Sequence, residues 1–181
     1  MHKSVSIALG EVGYLEKHTP EQLDEKLENA GEENYTKYAR DMAAHLGFYL
    51  GSKQGYPWCD VFVDWCFVKG YGVQNARKLL CQPILSKGAG CRHSFEYYRE
   101  AGRIAFYPQP GDQIFFRKDG NICHTGIVVK VCEDTVYTVE GNTSDEEGVI
   151  PNGGCVSRKQ YPIDSPSIAG YGRPDYSLVN E

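Results

Sequence analysis

Tyr56-Pro57-Trp58-Cys59-Asp60-Val61-Phe62-Val63-Asp64-Trp65-Cys66 is the stretch on which the reading of this chain turns. The proline pushes Tyr56 out of the helical region, so the segment opens extended. Cys59, Phe62, Val63 and Cys66 then recur at i, i+3, i+4 and i+7, the spacing of one helix face. Cys59 therefore falls in a first helical turn, where unpaired backbone N–H groups and the helix dipole favour negative charge. That setting is expected to lower a thiol pKa and to make a nucleophilic thiolate. Cys66, one face-repeat on, reads as packing. Asp60 and Asp64, one turn apart, read as a solvated face rather than a second acid pair.

Around this helix the chain divides into two kinds of pattern. Val5 to Lys17 reads as an amphipathic helix, weakened by Gly10 and Gly13. Glu21 to Glu33 is mostly charged and reads as a surface excursion. Asn34 is placed to cap a helix reaching about Leu46, with Gly47 ending it. Gly70-Tyr71-Gly72 stops the Cys59 helix, Val73 to Leu80 forms a short one, Lys87 to Gly90 is a loop, and Ser94 to Ala101 is helical. After the turn cluster Pro108-Gln109-Pro110-Gly111 come short β-rich runs at 113–117, 125–132, 135–140, 155–161 and 168–174. Helices first and strands second define an α+β fold, with connections too short for parallel crossovers and hence an antiparallel sheet. Neither half has a convincing core alone, so residues 1–181 are expected to form a single domain, with 1–50 its helical N-terminal part.

The 181 residues, 41% hydrophobic and 24% charged, are those of a soluble globular protein long enough to bury a core. A net charge of −5 argues against nucleic acid as partner. No segment has the apolar length of a membrane span. The N-terminal apolar run is too short for a signal peptide, so synthesis in the cytoplasm is expected. Seven cysteines without a C-x-x-C pair suit reduced, core-filling residues better than a zinc or thioredoxin-type motif. No metal and no cofactor is expected, and a monomer is.

A thiol nucleophile needs a base and a group to orient it. Of five histidines, His2 and His18 lie in weakly structured positions, His45 ends a helix and His93 precedes one. His124 begins an apolar strand and is followed by small residues. The next strand ends Val139-Glu140-Gly141-Asn142. With Glu133-Asp134-Thr135 as a three-residue loop, Cys132 pairs with Val136, and His124, Glu140 and Asn142 share a face. Asn142 is then diagonal to His124 and Glu140 roughly 13 Å along, unless Gly141 marks a bulge. Geometry alone favours Asn142; a carboxylate is the stronger partner for an imidazolium.

Trp58-Cys59-Asp60, Pro110-Gly111-Asp112-Gln113-Ile114-Phe115-Phe116, His124-Thr125-Gly126-Ile127-Val128-Val129, Val139-Glu140-Gly141-Asn142-Thr143 and Gly170-Tyr171-Gly172-Arg173-Pro174 occur in that order. Together they resemble the CHAP family of cysteine peptidoglycan hydrolases, papain-like relatives of the NlpC-type enzymes, over about Tyr56 to Tyr176. Ala8 to Tyr14 also looks like the start of phage endolysins and autolysins. The resemblance implies a helical lobe carrying the cysteine packed on an antiparallel sheet carrying the histidine. It implies Cys59 as nucleophile, His124 as general base then acid, Glu140 as the residue orienting His124, and Asn142 as the further polar residue of the motif. Family and simple geometry thus differ on the orienting group. Trp58 and Tyr56 are expected to line the groove for stem peptide or sugar. Some members bind calcium through acidic residues just before the cysteine; residues 51–58 carry none, and no such site is expected. The implied substrate is an amide of peptidoglycan, met at the bacterial wall after release. A catalytically inactive wall-binding module and a metal site including Cys59 and His124 are the other readings; the ligand spacing fits no zinc motif.

Overall fold

The computed structural model describes residues 1–44, 47–84 and 89–179. His45, Leu46 and part of the Lys87–Gly90 loop lie outside the described residues. The elements are α1 (Lys3–Glu11), α2 (Lys37–Ala44), α3 (Cys59–Leu79), α4 (Cys91–Glu100), β1 (Ile104–Ala105), β2 (Gln113–Lys118), β3 (Asn121–Cys132), β4 (Thr135–Thr143), β5 (Cys155–Pro162), β6 (Ile168–Gly172) and a terminal 3₁₀ turn, Tyr176–Leu178. The six strands form one antiparallel sheet in the order β1-β6-β2-β3-β4-β5. Helices in the first half and an antiparallel sheet in the second make this the α+β fold that the patterning calls for.

α3 is the centre of the molecule. Every residue from Cys59 to Val68 is buried, because α1, α2 and the sheet surround the helix on all sides. A helix enclosed all round loses the polar stripe of a surface helix. Gly72, at φ 74° and ψ 160°, interrupts the helical backbone where the Gly70-Tyr71-Gly72 signal stands. The principal core joins these helices to Phe115, Ile127 and Val139 on one face of the sheet. Ile114, Phe116, Val128, Val136, Tyr161 and Tyr171 form a second cluster on the alternate strand positions.

Burial of α3 corrects the expectation for Asp60 and Asp64, each only 1% exposed. Ser94 Oγ (2.8 Å) and Gln113 Nε2 (3.0 Å) donate to Asp60, and Tyr49 Oη donates to Asp64 at 2.5 Å. Asp60 thus ties α3 to α4 and β2. Hydrogen-bonded polar groups of this kind are tolerated inside a core. Periodicity alone could not show this, since it reports one face while three elements close on the helix.

Burial, against those two hydrogen bonds, pushes the Asp60 carboxyl up to about 6. Between the unfolded value near 4 and about 6 the folded chain holds a proton that the unfolded chain has lost, so stability falls as pH rises through that window. Asp60→Asn keeps the volume and an acceptor but removes the ionisation. The unfolding free energy of the variant relative to wild type is expected to rise by on the order of 3 kcal/mol from pH 4 to pH 7. Denaturant titrations at pH 4, 5, 6 and 7 measure it; parallel profiles would rule the assignment out. Asp64 is raised by burial and then by the Asp60 charge, so removing that charge eases its ionisation and adds to the same rise.

Of the local expectations that change, two bear on the sheet. α1 stops at Glu11 instead of running to Lys17. Gly13 takes φ 88°, and the chain turns to pair with the edge of β5: Gly13 N to Val156 O and Val156 N to Tyr14 O, both 2.9 Å, and Glu16 N to Gly154 O, 2.8 Å. Unpaired strand edges attract such pairing. The β3–β4 hairpin also closes one residue tighter, with Cys132 opposite Thr135 and Glu133 in a left-handed conformation (φ 50°). A bulge then falls between Val128 and Lys130, so that Ile127 faces Val139. Each change slides the strands by one residue. Together they restore the original face but move every partner beyond the bulge by two positions.

Candidate active site

That slide decides what meets His124. Continuing past the Ile127–Val139 pair places Glu140 against Gly126, where a Cβ would lie 2.4 Å from Glu140 Cγ. Glycine is required there by close approach, not by backbone conformation. His124, two residues away on the same face, is then diagonal to Glu140. Its Nε2 lies 3.0 Å from Glu140 Oε2, with both side chains fully buried. Thr138 Oγ1 donates to Glu140 Oε1 at 2.5 Å and Tyr161 Oη donates to Oε2 at 3.2 Å. Phe116 stacks on the imidazole, with centroids 5.9 Å apart and planes 27° from parallel. Glu140 is therefore a hydrogen-bonded acceptor facing one nitrogen of a clamped ring. Nδ1, the other nitrogen, is buried without a partner.

Asn142 does not reach the histidine. It is buried at the end of β4 with φ 56°; its Nδ2 donates to Pro151 O at 3.5 Å, its backbone carbonyl accepts from Gly153 N at 3.0 Å, and its Oδ1 has no partner. The shorter turn and the bulge bring Glu140 to the diagonal position, and Asn142 leaves the histidine because β4 is itself irregular between Glu140 and Thr143, where Asn142 turns left-handed.

Cys59 is the first residue of α3 and is 6% exposed. Its side chain interacts with the thiol of Cys91, the first residue of α4, and not with His124. The contact with Cys91, and after it burial, push the Cys59 thiol well above its ordinary value. This reverses the expectation from helix position: a second thiol and loss of water outweigh the dipole. All seven cysteines are free thiols.

The two groove candidates separate. Trp58 is fully buried, packed on Tyr38 at 5.5 Å between centroids, with Nε1 donating to Glu16 Oε2 at 2.7 Å. It is a core residue, because the Tyr14–Tyr38–Phe62 cluster closes over it. Tyr56 is 63% exposed and lines a cleft of about 520 Å³ with Leu50, Lys53, Pro57, Gly90 and His93. These residues belong to the approaches to α3 and α4, so the cleft flanks the Cys59–Cys91 pair. A larger cavity of about 770 Å³ lies elsewhere, between the 145–151 segment and β5, with Tyr161 in its wall. Residues that pattern reading did not find are Thr138 and Tyr161, which hold Glu140. The polar Thr138, two before Glu140 on the same strand face, is a signal that was there to be used.

Among the described residues no helix is long and apolar enough to cross a membrane, and no group of three His, Cys, Asp or Glu side chains is arranged to hold a metal ion. A buried His–carboxylate pair on the sheet and a cysteine opening the central helix thus stand in one α+β chain. The sequence model of the CHAP domain matches residues 51–142, just over half of the chain, and the chain belongs to the CHAP-domain family. The matched segment begins at the approach to α3 and ends on Asn142, so it contains Cys59, His124 and Glu140 as well. Domains of this family are generally hydrolase domains, of the peptidoglycan-hydrolase type. No curated protein matches the chain.

Proposed function

We propose that the chain is a cysteine-dependent peptidoglycan hydrolase that cleaves an amide bond through a thioester, as an N-acetylmuramoyl-L-alanine amidase or a peptidoglycan endopeptidase. The observation that carries this reading is the buried His124–Glu140 pair with Nδ1 unpartnered. Glu140 accepts the proton-bearing Nε2 and so leaves the lone pair on Nδ1, the atom a base must offer. Cys59 and Nδ1 are not in contact in this structure, where α3 packs on the sheet face of Phe115 and Ile127 and His124 stacks on Phe116 of the other face, so the reading requires them to be brought together in the substrate complex.

Nδ1 then takes the thiol proton, and Sγ attacks the amide carbonyl. The N–H of Cys59, at the start of α3, faces the developing oxyanion. The imidazolium returns its proton to the leaving amine as the C–N bond breaks. In the second half Nδ1 removes a proton from water, which attacks the thioester and frees the acid and the Cys59 thiol. Asn142 is the further polar residue of this site and Tyr56 lines the approach. Residues 1–181 act as one catalytic domain and as a monomer, at the cell wall after release, in lysis or wall remodelling of the endolysin or autolysin kind.

Digestion of peptidoglycan of defined composition, followed by mass spectrometry of the fragments, tests this. One new amino group per cleavage is expected, and its position distinguishes amidase from endopeptidase. Retention on the wall with no amino group released would instead establish an inactive binding module.

A further inference from the structure

Glu16 is a buried acid that the mechanism above does not use. It lies in the stretch that pairs with β5, outside the family-matched segment, and is 3% exposed. Oε2 accepts from Trp58 Nε1 at 2.7 Å and Oε1 from the backbone N–H of Asn34 at 3.4 Å. Its main chain is held on both sides, by Gly154 O (2.8 Å) and by the N–H of Gly31 (3.1 Å). Gly154, at φ 76°, packs against the carboxylate; a Cβ there would lie 3.3 Å from Glu16 Cδ. No ion pair reaches Glu16 among the described residues. Burial raises its pKa, against the hydrogen bonds from Trp58 and Asn34.

A carboxylate is an expensive acceptor to bury for packing alone. What it holds is the residue before the nucleophile. Trp58 is the N-cap of α3, its carbonyl accepts from Phe62 N at 2.9 Å, and it has no side-chain cap of its own. The peptide joining Trp58 to Cys59 carries the N–H assigned to the oxyanion. Displacing the indole therefore tilts both that N–H and the Cys59 side chain. We infer that Glu16 is a positioning residue: through Trp58 it sets the start of α3, so that the segment before residue 51 is part of the catalytic apparatus. The inference rests on the reading of Cys59 as nucleophile.

The test compares full-length wild type with Glu16→Ala, Glu16→Gln and Trp58→Phe, measuring kcat and KM on soluble peptidoglycan fragments, the alkylation rate of Cys59 by iodoacetamide resolved by peptide mass, and thermal melting. Glu16→Ala and Trp58→Phe are each expected to lower kcat roughly 10- to 100-fold with KM within about threefold, since small misplacements cost that much. Both also shift Cys59 alkylation severalfold, and the double variant is no slower than the worse single one. Glu16→Gln, which keeps an acceptor for the indole, stays within about threefold of wild type. Unchanged kcat and alkylation in Glu16→Ala overturn the inference, as does a Gln variant as impaired as the Ala one. If Glu16→Ala does not fold, Trp58→Phe decides between the same outcomes. An inactive wild type overturns the proposed function instead, and the alkylation measurements still decide the role of Glu16.

Discussion

Cys59→Ala is expected to lower the release of amino groups from purified peptidoglycan by a factor on the order of 10⁴ to 10⁶, the loss found when a covalent nucleophile is removed. Cys59 is the thiol at the start of α3, and Cys91, the thiol beside it, opens a different helix. The fold should survive. Alanine is the best helix former, and the substitution removes one sulfur from a residue 6% exposed, a change of about 1 kcal/mol. Melting within a few degrees of wild type, together with lost activity, is the expected pair of results. Retained lysis would dismiss Cys59 and with it the thioester.

Glu140→Gln is expected to reduce kcat roughly 10²- to 10⁴-fold while KM changes little, as when the carboxylate behind a catalytic histidine is replaced by an amide. The reason is the environment of the carboxylate. Thr138 and Tyr161 both donate to it, and His124 Nε2 is the third neighbour. An amide can accept on one side only. With its oxygen kept at Thr138, its NH₂ takes the place of Oε2 and faces both Tyr161 Oη and Nε2, and the imidazole proton is driven to Nδ1, where the base is needed. The pH–rate profile should change with kcat, which simple destabilisation would not produce. Activity within about threefold of wild type would break the dyad assignment. A loss on His93→Ala together with a normal Glu140→Gln would move the base to the histidine that lines the cleft beside Cys91.

Much of this arrangement is readable in the sequence because it depends on near neighbours. The i, i+3, i+4, i+7 spacing places Cys59 at a helix start, and Gly72 ends the first helical run whatever surrounds it. Period-2 alternation places His124, Gly126 and Glu140 on one face, and a register slip of two residues leaves that unchanged. Motif order then carries the family, since the matched segment, 51–142, spans from the approach to Cys59 to Asn142.

What tertiary structure alone decided concerns which distant groups meet. Whether Glu140 or Asn142 stands beside His124 depended on a two-residue turn, one bulge in the β3–β4 pairing and the left-handed turn of the chain at Asn142, differences too small for any sequence pattern to record. Asp60 and Asp64 look like a solvated face until α4, β2 and Tyr49 close on them. Trp58 looks like groove lining until the N-terminal segment brings Glu16 to its indole. The thiol of Cys59 looks acidic from its helix position, and burial against Cys91 makes it the reverse. Local backbone preference is short-ranged and survives in the sequence. Burial and charge depend on what the rest of the chain packs against a group, and only the folded chain contains that information.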